Sequence, residues 1–133
     1  MKKEWSKDWK SSIKPRKQRK YRFNAPLHVK QKFMRVHLSK DLKGKYEKRN
    51  ALIRKGDKIK MVRGQFKTRT GEINMVSLRR GKVYVEGINN VKKDGSTSMV
   101  ALQPSNMVIT SLNLEDKKRK VTLERKITNK EKK

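Results

Sequence analysis

The chain has 133 residues, room for one small domain with extensions, and its 39 Lys and Arg against 12 Asp and Glu leave a formal charge of +27. With glycine counted and tyrosine left out, 47 of the 133 residues are apolar, about 35% against the usual ~45–50%, so only part of the chain can bury a core. Cysteine is absent, which excludes disulfides, thiolate metal sites and thiol nucleophiles.

In chain order, the first feature is a charged start, residues 1–10, without the apolar stretch of a signal peptide. The longest strictly apolar run, Met99–Leu102, is far too short to span a bilayer, and a soluble cytoplasmic protein is expected. Trp5 and Trp9 stand at i, i+4, a spacing that suits insertion into a membrane surface. The pattern ends at Pro15, which favours an RNA or protein contact, or disorder. From Trp9 to Lys40 there are eleven basic residues and no acidic one, interleaved with Trp9, Tyr21, Phe23 and Phe33. Arg16–Phe23 predicts about two helical turns, basic all round, and Asn24-Ala25-Pro26 predicts a turn. After it, Leu27, Phe33, Met34, Val36 and Leu38 follow no clean period. Ser39 then caps an expected helix over 40–48, with Leu42 and Tyr46 on one face, docked on the central domain.

From Leu52 onward short alternating strands and turns take over. Lys58–Met61 places Ile59 and Met61 on an inner face. A polar loop, Gln65–Thr70, leads to a strand at Glu72–Val76 and a basic turn, Arg79-Arg80-Gly81. Lys82–Glu86 is the cleanest alternation, with Val83 and Val85 inward. Asp94-Gly95 signals a hairpin, and Ser98–Leu102 and Met107–Ile109 supply two closing strands around Pro104. The fold class expected is mainly β: a curled antiparallel sheet or small SH3-like barrel, whose closure would remove exposed edges. Net charges of +14 over 1–50, +6 over 51–116 and +7 over 117–133 divide the chain into a basic N-terminal extension, a barrel and a basic tail. The tail has Val121, Leu123 and Ile127 without a sustained period. It is expected to be flexible and is given no site.

The enzymatic alternatives have little to stand on. His28 and His37 lack acidic or cysteine partners at metal-ligand spacing. Gly56, Gly64, Gly71 and Gly87 read as turn glycines, since the Walker spacing is absent. Asp57 starts a strand and Glu86 ends one, which suits structural pairing with Lys or Arg better than a catalytic carboxylate pair. No enzyme, cofactor, metal or small-molecule substrate is expected. The charge itself points elsewhere. At +27 the compact chain repels itself, and a polyanion relieves this while releasing condensed counterions. Basic residues with interleaved aromatics suit folded RNA, the cations tracking phosphates and the rings stacking on splayed bases.

Gly56-Asp57-Lys58-Ile59-Lys60-Met61-Val62-Arg63-Gly64, then Lys67, then Gly71-Glu72-Ile73, resembles the KOW motif, whose invariant glycine Gly71 matches. Glycines at Gly64 and Gly71 allow turns and close backbone approach. One departure is Thr68, where the family often has glycine after the lysine, and it predicts an altered loop backbone. Pro15-Arg16-Lys17-Gln18-Arg19-Lys20-Tyr21-Arg22, Asn24-Ala25-Pro26-Leu27-His28, Leu38-Ser39-Lys40-Asp41-Leu42 with Tyr46, Val85-Glu86-Gly87 and Pro104-Ser105-Asn106-Met107-Val108-Ile109-Thr110 are together similar to the archaeal and eukaryotic branch of the universal large-subunit ribosomal protein L-twenty-four family. The resemblance covers roughly residues 14–118.

It implies a non-enzymatic constituent of the large subunit of the cytoplasmic ribosome. Such a protein binds ribosomal RNA early in assembly, near the nascent-chain exit tunnel, beside neighbouring ribosomal proteins and away from membranes. The arm positions carried over are Arg16, Lys17, Arg19, Lys20, Arg22 and His28, with Lys67 and Arg69 in the loop. Lys14, Lys30, Lys32, Arg35 and Arg63 complete the candidate RNA-binding set. Two rivals stand beside this reading: a KOW-type regulator of transcription elongation and a cationic membrane-active protein.

Overall fold

The computed structural model describes residues 5–131, and side chains within them apart from those of Trp9, Lys10 and 126–131. The readings of the charged start at 1–4, of Trp9, of Ile127 and of the last two residues lie outside the described residues. The order of elements is a 3-10 turn (Lys7–Ser11), α1 (Pro15–Asn24), α2 (Leu27–Phe33), β1 (Arg35–Leu38), α3 (Lys40–Tyr46), β2 (Asn50–Leu52), β3 (Lys58–Met61), β4 (Thr70–Ser77), β5 (Lys82–Val85), β6 (Asn89–Val91), β7 (Thr97–Met99), a 3-10 turn (Pro104–Asn106), β8 (Met107–Ser111) and α4 (Lys117–Glu131).

Local chemistry sets the helix ends. Pro15 opens α1, where its fixed φ is already helical and its missing N–H costs nothing. Pro26 closes it by forcing Ala25 into an extended conformation, ψ 137°. The Ser39 hydroxyl accepts from the Leu42 amide and caps α3, with Asp41 in the first turn and Lys43 and Lys45 in the last, each matched to the helix dipole. Glu47, at φ +49°, ends that helix in the left-handed region. Tyr46 is buried and Leu42 packs against the core, so the helix docks as its stripe predicts.

Six strands form one sheet in the order β2-β1-β8-β3-β4-β5, and β6 pairs with β7 as a separate hairpin. The fold is mainly β with a helical arm. Ile59, Val83, Val85 and Ile109 are wholly buried, and Met34, Val36, Leu38, Met61, Ile73 and Met107 nearly so. Gly71 lies where β4 passes β5. A Cβ there would fall 2.7 Å from the Glu86 carbonyl oxygen and 2.7 Å from Val85 Cγ1, so only glycine allows the strands this close.

Helix α2 forms where no clean period announced one, and the expected Ser98–Leu102 strand forms only as Thr97–Met99 in the separate hairpin. The structure departs from the sequence reading in three further places. The sheet reaches back across residue 50: Arg35–Leu38 is a strand, pairing antiparallel with β2 and parallel with β8. The sheet is therefore mixed rather than antiparallel throughout. Secondly, the strand order does not close into a ring, and its two edges are covered instead. Val83 of β5 exchanges backbone hydrogen bonds of 3.0 and 2.9 Å with Leu102, and the Leu52 carbonyl of β2 accepts from Arg119 at 3.0 Å. Thirdly, the tail expected to be flexible forms α4. Arg119 and Leu123, one turn apart, are 6% and 4% exposed and hold it to the domain.

Arg119 forms a buried ion pair with Asp57, itself 0% exposed. The contact is bidentate, 2.6 Å from Nη1 to Oδ1 and 2.7 Å from Nη2 to Oδ2. The carboxylate also accepts from the backbone amides of Arg54 and Asn113, at 2.8 and 2.9 Å. The guanidinium's remaining bonds go to the Asn113 and Leu52 carbonyls. Structural pairing of Asp57 with an arginine is thus what the sequence predicts, with a partner 62 residues away. At the surface Arg54 pairs with Asp116, a hydrogen bond that holds the Asp116 carboxyl below its ordinary value. Removing one partner of a buried pair strands the other's charge, so Asp57→Ala or Arg119→Ala lowers unfolding stability by roughly 3–5 kcal/mol. Arg54→Ala, which breaks only the exposed pair, has little effect. Urea denaturation of the three variants measures the difference.

Candidate nucleic-acid interface

The arm is built on its aromatics. Trp5 donates its indole N–H to the Tyr21 carbonyl at 3.2 Å and packs on the Tyr21 ring with centroids 5.1 Å apart. Tyr21 in turn meets Phe33 edge-on at 6.4 Å. These contacts tie the start of the chain across α1 to α2, so Trp5 serves the arm's own packing. Ala25 and Val29 are buried, and the Ile53 amide donates to the Met34 carbonyl at 3.2 Å, which fixes α2 to the sheet. None of α1's residues is buried. Lys14, Arg16, Lys17, Arg19, Lys20 and Arg22 are all exposed, as are His28, Lys32 and Arg35, while Lys30 is half-buried.

Between the arm and the sheet lies a cleft of about 560 Å³. The arm and the start of β1 contribute Arg19, Arg22, Lys30 and Arg35 with Phe23 and Phe33; the β4–β5 turn brings Arg79 and Arg80; Gln103, Pro104 and Ser105 border it. Among the described residues that line it, six are basic and none is acidic. The cations also lie against the rings: Lys30 Nζ is 5.9 Å from the Phe23 centroid and the Arg22 guanidinium 5.9 Å from that of Phe33. This gathers four of the thirteen residues singled out from sequence. Lys14, Arg16, Lys17, Lys20, His28 and Lys32 do not line it. In the sequence Arg79 and Arg80 read only as a turn. Their signal is the adjacent pair of arginines, which becomes a site only when the arm folds over it.

Arg63, Lys67 and Arg69 form a second exposed basic element on the β3–β4 loop. That loop is held by its backbone, with Thr68 N–H to the Met61 carbonyl at 2.9 Å, Met61 N–H to the Arg69 carbonyl at 2.8 Å and Lys67 N–H to the Gly64 carbonyl at 3.1 Å. Phe66 is buried beneath it, and the Arg69 guanidinium lies 5.4 Å from the Phe66 ring centroid. The Asn106 carbonyl accepts from the Val62 and Arg63 amides, so the Pro104–Asn106 turn borders this loop on one side and the cleft on the other.

Gly64 takes φ +91°, a glycine conformation. Thr68 takes φ +74°, also left-handed, although it is β-branched. Threonine is held in the conformation that glycine favours. The hydroxyl donates to the Lys67 carbonyl at 2.5 Å. A non-glycine residue in this region stores about 1–3 kcal/mol of strain; glycine would release it, though its greater unfolded-state entropy returns part of that gain. Thr68→Gly is expected to raise stability by about 1 kcal/mol in thermal or urea unfolding.

The fold is thus a small mainly-β domain with a helical arm folded against it and a cation-lined cleft between the two. Comparison with known proteins makes this specific. The model of the family that comprises the eukaryotic ribosomal proteins L26 and their archaeal L24 counterparts matches residues 12–126. The chain is 45% identical over 108 residues to the large ribosomal subunit protein uL24 of Methanothrix thermoacetophila, covering 81% of this chain and 93% of that protein. It is 42% identical over 116 residues to that of Methanosphaera stadtmanae, covering 87% and 99%. With that of Korarchaeum cryptofilum it shares 46% over 115 residues, covering 86% and 88%. The chain belongs to this ribosomal protein family, whose members are structural components and not enzymes. The match runs past the 14–118 region recognised from sequence and into α4.

Proposed function

We propose that the protein is a structural constituent of the large ribosomal subunit and binds ribosomal RNA through its arm, the cleft and the β3–β4 loop. The observation that carries the RNA reading is the cleft itself, with six basic side chains, no acidic ones among the described lining residues, and two exposed phenylalanines. Family membership supports the subunit, since the relatives are named for it. Assembly early on the RNA, a place near the exit tunnel, contact with neighbouring ribosomal proteins and a cytoplasmic location belong to the same reading. Lys14, Arg16, Lys17, Lys20, His28 and Lys32 extend the contact along α1 and α2 beyond the cleft, and Arg63, Lys67 and Arg69 extend it across the loop. In functional terms the chain divides into an N-terminal RNA-binding extension at 1–50, a domain at 51–116 and a tail at 117–133.

Sedimentation of tagged protein from lysate on sucrose gradients tests the assignment. Co-migration with the large subunit at moderate salt is expected, and migration at the top of the gradient or with RNA polymerase refutes it. Charge variants then test the division of labour. Deleting the tail from 119 onward would remove Asp57's buried partner as well as charge, so point changes are the cleaner probe. Arg16, Arg19 and Arg22 changed together to Gln should weaken binding to purified large-subunit RNA and lower the slope of log affinity against log salt by roughly one per lost phosphate contact. Lys117, Lys118 and Lys120 changed to Gln should have a smaller effect, and equal losses from the two sets would refute the arm's priority.

A further inference from the structure

We infer that the cleft between the arm and the β4–β5 turn receives one unstacked nucleotide, its base against Phe23 and its phosphate among the surrounding arginines; this rests on the RNA-binding reading above. The first ground is the exposure of Phe23. In a chain so poor in apolar residues, Trp5, Tyr21 and Phe33 are tied together by ring contacts. Phe23, on the same arm, remains 81% exposed on the rim of the cleft. Together with Phe33, 43% exposed on the same cleft, it makes an aromatic patch among six cations rather than a lone exposed side chain. Bases stack on such a face whatever their identity, and the cations supply the phosphate side of the contact.

The second ground is size and shape. At about 560 Å³ the cleft lies within the ~300–1,000 Å³ range of small-ligand sites. A nucleotide fits that scale, whereas a duplex does not enter it. In an A-form helix the bases are stacked on one another and offer an aromatic side chain no free face, so a stacking platform selects bulges, loops and ends. Gln103 and Ser105, both exposed on the border, add an amide and a hydroxyl that can hydrogen-bond a base edge or ribose. The third ground is where the walls come from. Arg19, Arg22 and Phe23 belong to α1, and Arg79 and Arg80 to the β4–β5 turn. An inserted nucleotide would touch both and lock the arm onto the domain. An apolar side chain of a neighbouring protein would use Phe23 but leave the cations unanswered, and charge complementarity therefore favours RNA.

The test uses the full chain and two RNA hairpins, one with a single bulged 2-aminopurine and one with the bulge deleted. The bulged hairpin is expected to bind more tightly by roughly 5- to 100-fold, the effect of one base–aromatic stack, with 2-aminopurine fluorescence quenched on binding. Phe23→Leu keeps an apolar side chain at an exposed position, so the fold is preserved. It should remove both the preference for the bulge and the quenching. Arg79→Gln with Arg80→Gln should weaken the bulged complex more than the continuous one. Equal affinity for the two hairpins, or quenching that survives Phe23→Leu, overturns the nucleotide site and leaves the RNA-binding reading standing. Failure to bind either hairpin or purified large-subunit RNA overturns both.

Discussion

Asp57 sits at the start of β3 with no exposure to solvent, and a carboxylate in that position has to be answered on all sides. Arg119 answers it with a two-pronged contact, and the amides of Arg54 and Asn113 take its other lone pairs. The same arginine reaches the Leu52 and Asn113 carbonyls. One ion pair therefore joins the edge strand β2, the entry to β3, the segment after β8 and helix α4. Burial of two charges is a weak source of net stability, but a half-made pair is strongly unfavourable. The network thus specifies one arrangement of these four elements, and with it the open sheet whose β2 edge is covered by a side chain. Lys48, donating to the Thr122 carbonyl, adds a tie between the turn after α3 and α4.

With the domain fixed this way, the excess charge is left outside it. The core takes few cations inward, and Arg119 is the buried one among the described residues. The arm's basic residues line a surface whose mutual repulsion a polyanion relieves. The arm packs through Tyr21, Phe33, Val29 and Met34 and not through a broad apolar face. Its charged side chains therefore stay at the surface, where they can track a phosphate backbone, while its geometry is set by a few aromatic contacts. That combination places cations from α1 opposite cations from the β4–β5 turn, an arrangement that stands at a cost until an anion comes between them.

Much of the fold is legible in the sequence because short strands announce themselves by alternation. Lys58–Met61, Glu72–Val76 and Lys82–Glu86 match β3, β4 and β5, and Asp94-Gly95 turns the β6–β7 hairpin. Arg35-Val36-His37-Leu38 also alternates, exposed and buried in turn. It is masked because α2 ends only two residues earlier, and a window spanning both periods shows neither. The parallel pairing of β1 with β8 joins residues some seventy positions apart, which periodicity does not record. Helix α4 escapes notice because its inner face is carried by a leucine and an arginine, and the arginine counts as inward-facing only once Asp57 is known to lie beneath it. The site is half legible. Composition points to the arm and the family resemblance names candidate residues on it, but Arg79 and Arg80 join the candidate cleft through tertiary placement alone.

The RNA reading of the cleft depends on RNA being held between the arm and the β4–β5 turn. Ultraviolet cross-linking of the full chain to purified large-subunit RNA, with the cross-linked peptides mapped by mass spectrometry, tests this directly. Adducts are predicted on peptides from α1 and α2 containing Phe23 and Phe33, and on the peptide between β4 and β5. Adducts confined to the β6–β7 hairpin and α4, with the arm unmodified, would contradict it.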